Sequence, residues 1–484
     1  MDNKLIFERS VTGRRGVSLP VSDVPVSDMA SLFPPAFLRQ AAARLPEATE
    51  PEVVRHYVNL SSLNYHIDKG IYPLGSCTMK YNPKVNEKCA RFEGFEALHP
   101  LAEPSHCQGA LELMVHLERM LAEISGMHSV SLQPVAGAHG ELTALMVIHA
   151  YHRHRGAERR FVLIPDSAHG TNPASVVLAG YEPRGIKSGA DGTIDLDDLR
   201  AKMDEEVAAI MITNPNTLGL FEKNITEIGR IVHDKGGLLY MDGANLNALM
   251  GIVKPGKIGF DVLHFNLHKT FSTPHGGGGP GAGPIGVSEA LAPFLPCPRI
   301  RKTDKGYSFA EPHALSIGRV HSFYGNFLVM VRAYAYILSL GGKGLAQATE
   351  NAILNANYLF KKIRDHFQVP YPGHALHEFV LSGSLFGDKG IKTLDIAKRM
   401  LDYGVYAPTI YFPLIVNEAI MVEPTETESR EELDRFISVM ESIVREIREN
   451  PEVVKNAPHT TPVRRLDEAK AAKELDINYF SKQV

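Results

Sequence analysis

Short apolar runs alternate with longer amphipathic stretches between residues 109 and 287. From 109 to 124, Leu111, Met114, Leu117, Met120, Leu121 and Ile124 recur at helical spacing, and Gly126 follows as a stop signal. A short strand is expected over 129–133. After it come the small-residue turn Pro134-Val135-Ala136-Gly137-Ala138-His139-Gly140 and a helix from 141 to about 152. Further strands are expected at 161–165, 207–212, 238–241, 262–266 and 284–287. Asn224 with Glu227 has the form of a capping box, opening a helix whose buried stripe is Ile225, Ile228, Ile231 and Val232. Strands and helices that alternate with short loops predict an α/β fold with a doubly wound, mostly parallel sheet.

The pattern changes on either side of this region. Residues 1 to about 60 are rich in proline and serine, and Ser18-Leu19-Pro20 and Pro34-Pro35 break any period. Leu19, Val24, Leu32, Phe33, Phe37 and Leu38 are too apolar for a solvated tail, so an extended arm laid on another surface is expected rather than a disordered leader. Beyond the sheet, 316–340 is expected to open into a long apolar helix, which Gly341-Gly342-Lys343-Gly344 interrupts. Helices near 345–367, 391–403 and 428–449, with strands at 378–381 and 419–423, form a smaller α+β C-terminal domain. The expected division is 1–100 for arm and interface loop, 101–340 for the large domain and 341–484 for the small one. Glu423-Pro424-Thr425-Glu426 has the composition of a solvated acidic turn, and the histidines of Tyr151-His152-Arg153-His154 are expected at the surface.

Composition narrows the function classes. The 484 residues hold 51 basic and 55 acidic side chains, which leaves no electrostatic footprint for nucleic acid. Cys77, Cys89, Cys107 and Cys297 have neither a metal-binding spacing nor the density of a disulfide scaffold, so no metal is expected and a reducing cytoplasm fits. The first residues lack the apolar run of a secretory peptide, and no stretch approaches the ~20 residues of a membrane span.

The candidate chemistry gathers where the strands end. His264-Phe265-Asn266-Leu267-His268-Lys269-Thr270 puts Lys269 just past a strand, where open α/β sheets bind ligands, and a glycine-rich tract follows over 276–283. A desolvated amine there loses its proton readily and forms a Schiff base with an aldehyde. Asp242 ends the strand before it, 27 residues upstream (269 minus 242), on the same sheet edge. Pyridoxal phosphate needs that pair, a lysine for its aldehyde and a carboxylate for its ring nitrogen. Either residue alone is ordinary, a loop lysine or a capping aspartate. His169, delivered to the same rim by the strand at 161–165, is placed to stack on the ring or move protons. The Gly137-Ala138-His139 turn offers amides and a helix dipole to a phosphate. Gly281-Ala282-Gly283-Pro284-Ile285-Gly286 matches a dinucleotide fingerprint by letter but runs into a strand, and Lys269-Thr270 lacks the glycine of a P-loop.

Read together, Gly75-Ser76-Cys77-Thr78-Met79-Lys80, Gly137-Ala138-His139-Gly140-Glu141, Ser167-Ala168-His169-Gly170-Thr171-Asn172-Pro173, Asp242-Gly243-Ala244-Asn245, Asn266-Leu267-His268-Lys269-Thr270-Phe271 and Glu423-Pro424-Thr425-Glu426 resemble the P-protein family of the glycine cleavage system, the decarboxylating glycine dehydrogenases. Gly13-Arg14-Arg15-Gly16-Val17-Ser18-Leu19-Pro20 and His459-Thr460-Thr461-Pro462 look like the lysine-bearing half, subunit 2, of P-proteins split in two. The resemblance implies fold type I of the pyridoxal-phosphate enzymes and a heterotetramer with subunit 1, two copies of each. It implies that glycine loses its carboxyl as carbon dioxide and that the aminomethyl group passes to the lipoyl arm of the H-protein. By the same resemblance, Lys269 carries the Schiff base, Asp242 pairs the pyridinium, His169 stacks on the ring, and Gly137, Ala138 and His139 contact the phosphate, with Thr171, Asn214 and Asn245 nearby. Ser76, Cys77, Thr78 and Lys80 are candidates for holding substrate. Two alternatives stand beside this reading: another fold type I enzyme, a desulfurase using Cys77 or an aminotransferase, and a structural subunit without catalysis.

Overall fold

The computed structural model describes residues 4–277, 279 and 281–480, so positions 278 and 280 of the glycine-rich tract lie outside the described residues. The chain divides into two compact units, one of Met1–His66 with Pro462–Val484 and one of Ile67–Thr461. In the first, the helix Glu50–Leu63 is opened by Thr49 and Glu52, whose carboxylate accepts the Thr49 amide at 2.9 Å. Phe7 stacks on Tyr479 with ring centroids 4.7 Å apart. Much of the rest is extended with exposed apolar side chains: Leu19 is 86 % and Phe37 80 % exposed.

The larger unit is built on a seven-stranded sheet. Its strands are β1 (Ser129–Ser131), β2 (Phe161–Pro165), β3 (Glu182–Ile186), β4 (Val207–Thr213), β5 (Leu238–Asp242), β6 (Val262–His264) and β7 (Ile285–Val287). The order is β1-β7-β6-β5-β4-β2-β3, parallel from β6 to β3, with β7 antiparallel to both neighbours. Alternate residues of the central strands enter different cores. Leu163, Ile210, Ile212, Leu239, Met241 and Leu263 pack on one face, and Val162, Ile164, Ala209, Met211, Tyr240 and Val262 on the other. That double burial is why these strands read as continuous apolar runs. The first face is covered by α1 (Gln108–Ser125), by a later helix, Ile225–Asp234, and by part of a long C-terminal helix. The second is covered by α2 (Gly137–His154) and α3 (Thr171–Leu178). The result is a layered α/β/α sandwich, the doubly wound parallel-dominated sheet expected from the sequence.

Several local expectations are corrected. α2 begins four residues earlier than the periodicity indicated, so Gly137, Ala138 and His139 form its first turn and are not a loop before it. Asn224 precedes the helix Ile225–Asp234 without a side-chain cap; its amide donates to Glu222 Oε1, and Glu227 accepts from Arg200. His152 is buried, with Nε2 2.9 Å from the Ala208 carbonyl, so one of the two expected surface histidines belongs to the interior. The stretch 316–326 is not helical. The long helix is Phe327–Ile363, and the expected break survives within it as Gly341, whose φ of 62° and ψ of 178° kink the axis.

The C-terminal part of this unit has its own core. A three-stranded antiparallel sheet, Phe379–Ser382, Ala419–Val422 and Thr409–Ile410, packs with helices Thr393–Asp402 and Arg430–Glu449 and the second half of the long helix. Phe379 pairs with Val422. Continuing that register by one residue sets Glu378 opposite Glu423. Leu74 bridges to Val422, and Gly75 lies so close to this strand that a Cβ there would meet Met421 Cγ at 2.0 Å. The 72–80 loop is thereby fixed against the small sheet. The Glu423-Pro424-Thr425-Glu426 stretch, expected as a solvated turn, is interior: Glu423 and Thr425 are fully buried.

Candidate functional site

Register places the first part of the site. Thr213, Asp242 and His264 are cross-strand partners at the C-terminal ends of β4, β5 and β6, so their side chains share one rim. Asp242 is 2 % exposed and accepts from three groups: the Ala244 amide at 2.9 Å, Asn172 Nδ2 at 3.1 Å and Thr213 Oγ1 at 3.5 Å. Burial by itself would push this carboxyl up. His264 and Lys269 more than offset that and hold it below the usual range. Asp242 is therefore a buried anion.

Lys269 follows β6 by five residues (269 minus 264), in the turn after it. Its Nζ donates to the Ser76 carbonyl at 2.8 Å, so the 72–80 loop is brought onto the rim from a distant part of the chain. The turn before α2 packs on the lysine loop: a Cβ on Gly137 would sit 2.3 Å from Asn266 Oδ1, and one on Gly283 2.0 Å from the Ala136 carbonyl. These approaches need glycine. α2 has no side-chain cap, which leaves the Gly137, Ala138 and His139 amides free of one at the positive end of an 18-residue helix. His139 is turned back to accept the Val135 amide on Nδ1 at 3.2 Å.

His169 lies just before α3, with Nδ1 accepting the Thr171 amide at 3.2 Å and its ring edge-on to Phe412. Thr171 donates to Glu141 Oε1 at 2.9 Å, tying α3 to α2. Asn214 is fully buried, its Oδ1 accepting the Glu222 amide at 3.0 Å. Asn245 donates from Nδ2 to the Pro215 carbonyl at 2.9 Å and to Glu378 Oε1 at 3.0 Å. Ser76 and Thr78 both have positive φ, 61° and 46°. In that conformation their amides reach Glu378 Oε2 at 2.6 Å and Glu423 Oε2 at 2.9 Å. Cys77, between them, is half-buried, and burial pushes its thiol up. Lys80 donates to Asn247 at 2.8 Å, Tyr336 at 3.1 Å and Glu426 at 2.7 Å, which occupies all three protons of its ammonium.

Sequence reasoning missed Asn172, His264, Glu378, Glu423 and His377 as site residues. Asn172 and His264 stood inside quoted motifs, beside Thr171 and five residues before Lys269. His377 and Glu378 carried no sequence signal, because the small sheet alone brings them to the rim.

The polar atoms left over test whether pyridoxal phosphate fits here. Among the described residues, buried Asn172 Oδ1, Asn214 Nδ2, Asn245 Oδ1, Thr270 Oγ1, Thr273 Oγ1, His275 Nε2 and both nitrogens of His377 have no partner in the protein. Each such group costs about 1–3 kcal/mol if left unsatisfied, so this concentration around one lysine suits a polar ligand of several acceptors. A nucleophilic amine, a buried carboxylate, an uncapped helix start and close glycine approaches complete a donor set that matches the cofactor.

The chain is similar in sequence and in fold to known proteins. A family model described as "Glycine cleavage system P-protein" matches residues 25–303, and one described as "Glycine dehydrogenase, C-terminal domain" matches 348–463. The chain is 58 % identical over 487 residues to a probable glycine dehydrogenase (decarboxylating) subunit 2 of Chloroherpeton thalassium, covering 100 % of this chain and 99 % of the relative. It is 56 % identical to the protein of the same description in Oceanobacillus iheyensis, over 99 % of this chain and 100 % of the relative. Among solved structures, an inhibitor-bound glycine decarboxylase (P-protein) of the glycine cleavage system superposes with a TM-score of 0.73 at 20 % identity, covering 86 % of this chain and 94 % of that one. A cysteine desulfurase of Thermococcus onnurineus superposes at 0.59 and 16 % identity, over 80 % of this chain and 98 % of that one, a likeness of fold alone.

Proposed function

Because the chain belongs to the glycine cleavage system P-protein family, we propose that Lys269 and Asp242 form the centre at which it decarboxylates glycine and passes the aminomethyl group to the lipoyl arm of the H-protein. The chain is a pyridoxal-phosphate enzyme of fold type I and a decarboxylating glycine dehydrogenase. The observation that carries the assignment is the shared rim: a lysine amine and a buried, ionised carboxylate at neighbouring strand ends, amid unpartnered polar atoms.

The cofactor, when bound, supplies the electron sink that makes loss of the carboxyl possible. Lys269 Nζ would hold its aldehyde carbon and Asp242 its ring nitrogen. His169 would cover the ring, and the Gly137, Ala138 and His139 amides would receive the phosphate, with Thr171, Asn214 and Asn245 completing the surround. Asp242 keeps its charge through His264, Asn172 and the Ala244 amide, and so fixes a proton on whatever basic nitrogen faces it. Ser76 and Thr78 hold the 72–80 loop over Lys269, which positions glycine and keeps water from the reacting bond. Lys80, joined to Glu426, supports the same loop. Cys77 belongs to this substrate loop, but its raised pKa disfavours the thiolate that a desulfurase would need.

The subunit 2 description of the relatives implies a partner, and the proposal includes subunit 1 in an α2β2 assembly in the cytoplasm. The exposed apolar side chains of the arm, Leu19, Val24, Leu32, Phe33 and Phe37, are a surface suited to that subunit. The division into arm (1–100), large domain (101–340) and small domain (341–484) is part of the same reading. No described helix is long and apolar enough to cross a membrane.

Borohydride reduction of the loaded protein, followed by peptide mapping, tests the assignment. A pyridoxyl adduct on Lys269, together with glycine-dependent release of carbon dioxide in the presence of the partner subunit and H-protein, is the expected result. An adduct on another lysine overturns it.

A further inference from the structure

The small sheet brings two glutamates to the Lys269 rim that the assignments above leave without a role. Glu378 and Glu423 are fully buried and lie opposite each other where the Phe379–Val422 pairing ends. Like charges so placed repel across a dry gap. Each carboxylate is already oriented: Glu378 accepts from the Ser76 amide and Asn245, and Glu423 from the Thr78 amide and from the Thr78 hydroxyl at 2.6 Å. Between them stands His377, also fully buried, with Nε2 3.8 Å from the Oε1 atom of each. Neither of its ring nitrogens has a hydrogen-bond partner in the protein.

Charge decides the protonation of this cluster. The titratable groups facing it are Lys269, the Cys77 thiol, Glu426 and His377. Glu426 is matched by Lys80. Burial holds His377 neutral, at about 3. Two buried carboxylates therefore face each other beside a neutral imidazole, and one proton held between them removes their mutual repulsion. Burial raises both carboxyls: the charge of Glu423 adds to it at Glu378, which lies well above its usual value, and the charge of Glu426 adds to it at Glu423, raised to about 7.

We infer that Glu378 and Glu423 hold one proton between them and deliver it to the sulfur that departs when the lipoyl disulfide is opened beside Lys269, an inference that rests on the transfer reaction proposed above. In that step the electron pair released with carbon dioxide forms the new carbon–sulfur bond. The sulfur–sulfur bond breaks, and its other sulfur leaves with the bonding pair. Substrate carbon is oxidised and the disulfide reduced by two electrons, with one proton needed to give the thiol. A bare thiolate in a site this dry is costly, and a neutral acid beside it removes that cost. The pair then stands as two carboxylates and takes its proton back from solvent.

Infrared spectra of the full-length chain, titrated between about pH 5 and 9, test the shared proton. Glu118 and Glu428, each raised to about 7, contribute carboxyl signal of their own, so the pair is read from the difference between the wild type and each variant, in which a protonated-carboxyl band belonging to the pair is expected. In Glu378→Gln and Glu423→Gln the surviving carboxyl should titrate at least about one pH unit lower, because its like-charged neighbour is gone. With the partner subunit and lipoylated H-protein, both variants should slow aminomethyl transfer about a hundredfold and lose its decline at high pH. No carboxyl band in the difference between wild type and variants, an unmoved titration in either variant, or wild-type transfer in both overturns the inference. A wild-type complex that passes no aminomethyl group to the lipoyl carrier overturns the reaction itself and the delivery step with it, while the infrared band independently judges the shared proton.

Discussion

Asp242 Oδ1 faces His264 Nε2 at 3.3 Å across adjacent parallel strands, and the far nitrogen of that ring meets the Tyr240 hydroxyl at 2.9 Å. Three residues of β5 and β6 thus form a line that ends at the carboxylate proposed to face the cofactor ring. His264→Phe removes the first of the four groups that hold the Asp242 carboxyl low, the others being Lys269, the Ala244 amide and Asn172. Its pKa then rises, so the acid limb of the glycine decarboxylation profile should move to higher pH. Asp242→Ala should lower the rate by about a hundredfold or more. An acid limb in His264→Phe that coincides with the wild type's would detach His264 from this task.

Lys80 and Glu426 are a buried ion pair, 1 % and 9 % exposed in their side chains. Removing one partner strands the other, so Lys80→Met should cost about 3–5 kcal/mol in denaturant unfolding, and Lys80→Met with Glu426→Leu should recover most of it. Recovery of stability with an ordinary KM for glycine assigns Lys80 to support of the loop. A KM raised in both variants assigns it to the substrate.

Gly283 is packed so that a Cβ would collide with backbone, the Ala136 carbonyl, at 2.0 Å. A carbonyl at a helix start cannot swing aside as a side chain can. Gly283→Ala should destabilise by roughly 1–3 kcal/mol in thermal unfolding and weaken cofactor retention. In Gly137→Ala the obstacle is Asn266 Oδ1, a side-chain atom, and the stability loss should be smaller.

His152 supplies a pH prediction. Burial, the largest influence, lowers its pKa to about 4, from an unfolded value of about 6.5. The folded state resists protonating it, so this contribution is fully present above the unfolded pKa and is lost as pH falls from about 6.5 toward 4. The loss reaches at most about 3 kcal/mol. His268, lowered to about 3, and His275, lowered to about 4, act in the same direction. In denaturant titrations His152→Phe should flatten the slope of stability against pH in this window, and an unchanged slope would refute the assignment.

The sequence by itself determined the parts of this protein that depend on neighbours in the chain. The double-sided burial of β2, β4 and β5 is written in unbroken apolar runs, and the position of Lys269 and Asp242 at strand ends follows once those runs are read as parallel strands. The motifs around His169, Lys269 and Gly137 were legible because each is continuous. Tertiary structure alone decided what depends on pairing distant segments. Glu378 and Glu423 are 45 residues apart (423 minus 378) and become opposed only through antiparallel register, while Ser76 reaches Lys269 across 193 residues. An acidic turn looks solvated in sequence because its composition is polar. Here it is buried, because the Thr78 amide and hydroxyl, on a loop about 345 residues away, satisfy the Glu423 carboxylate. Local periodicity reports which face of an element is apolar, and it carries no record of which remote polar groups will meet and hold one another's charges.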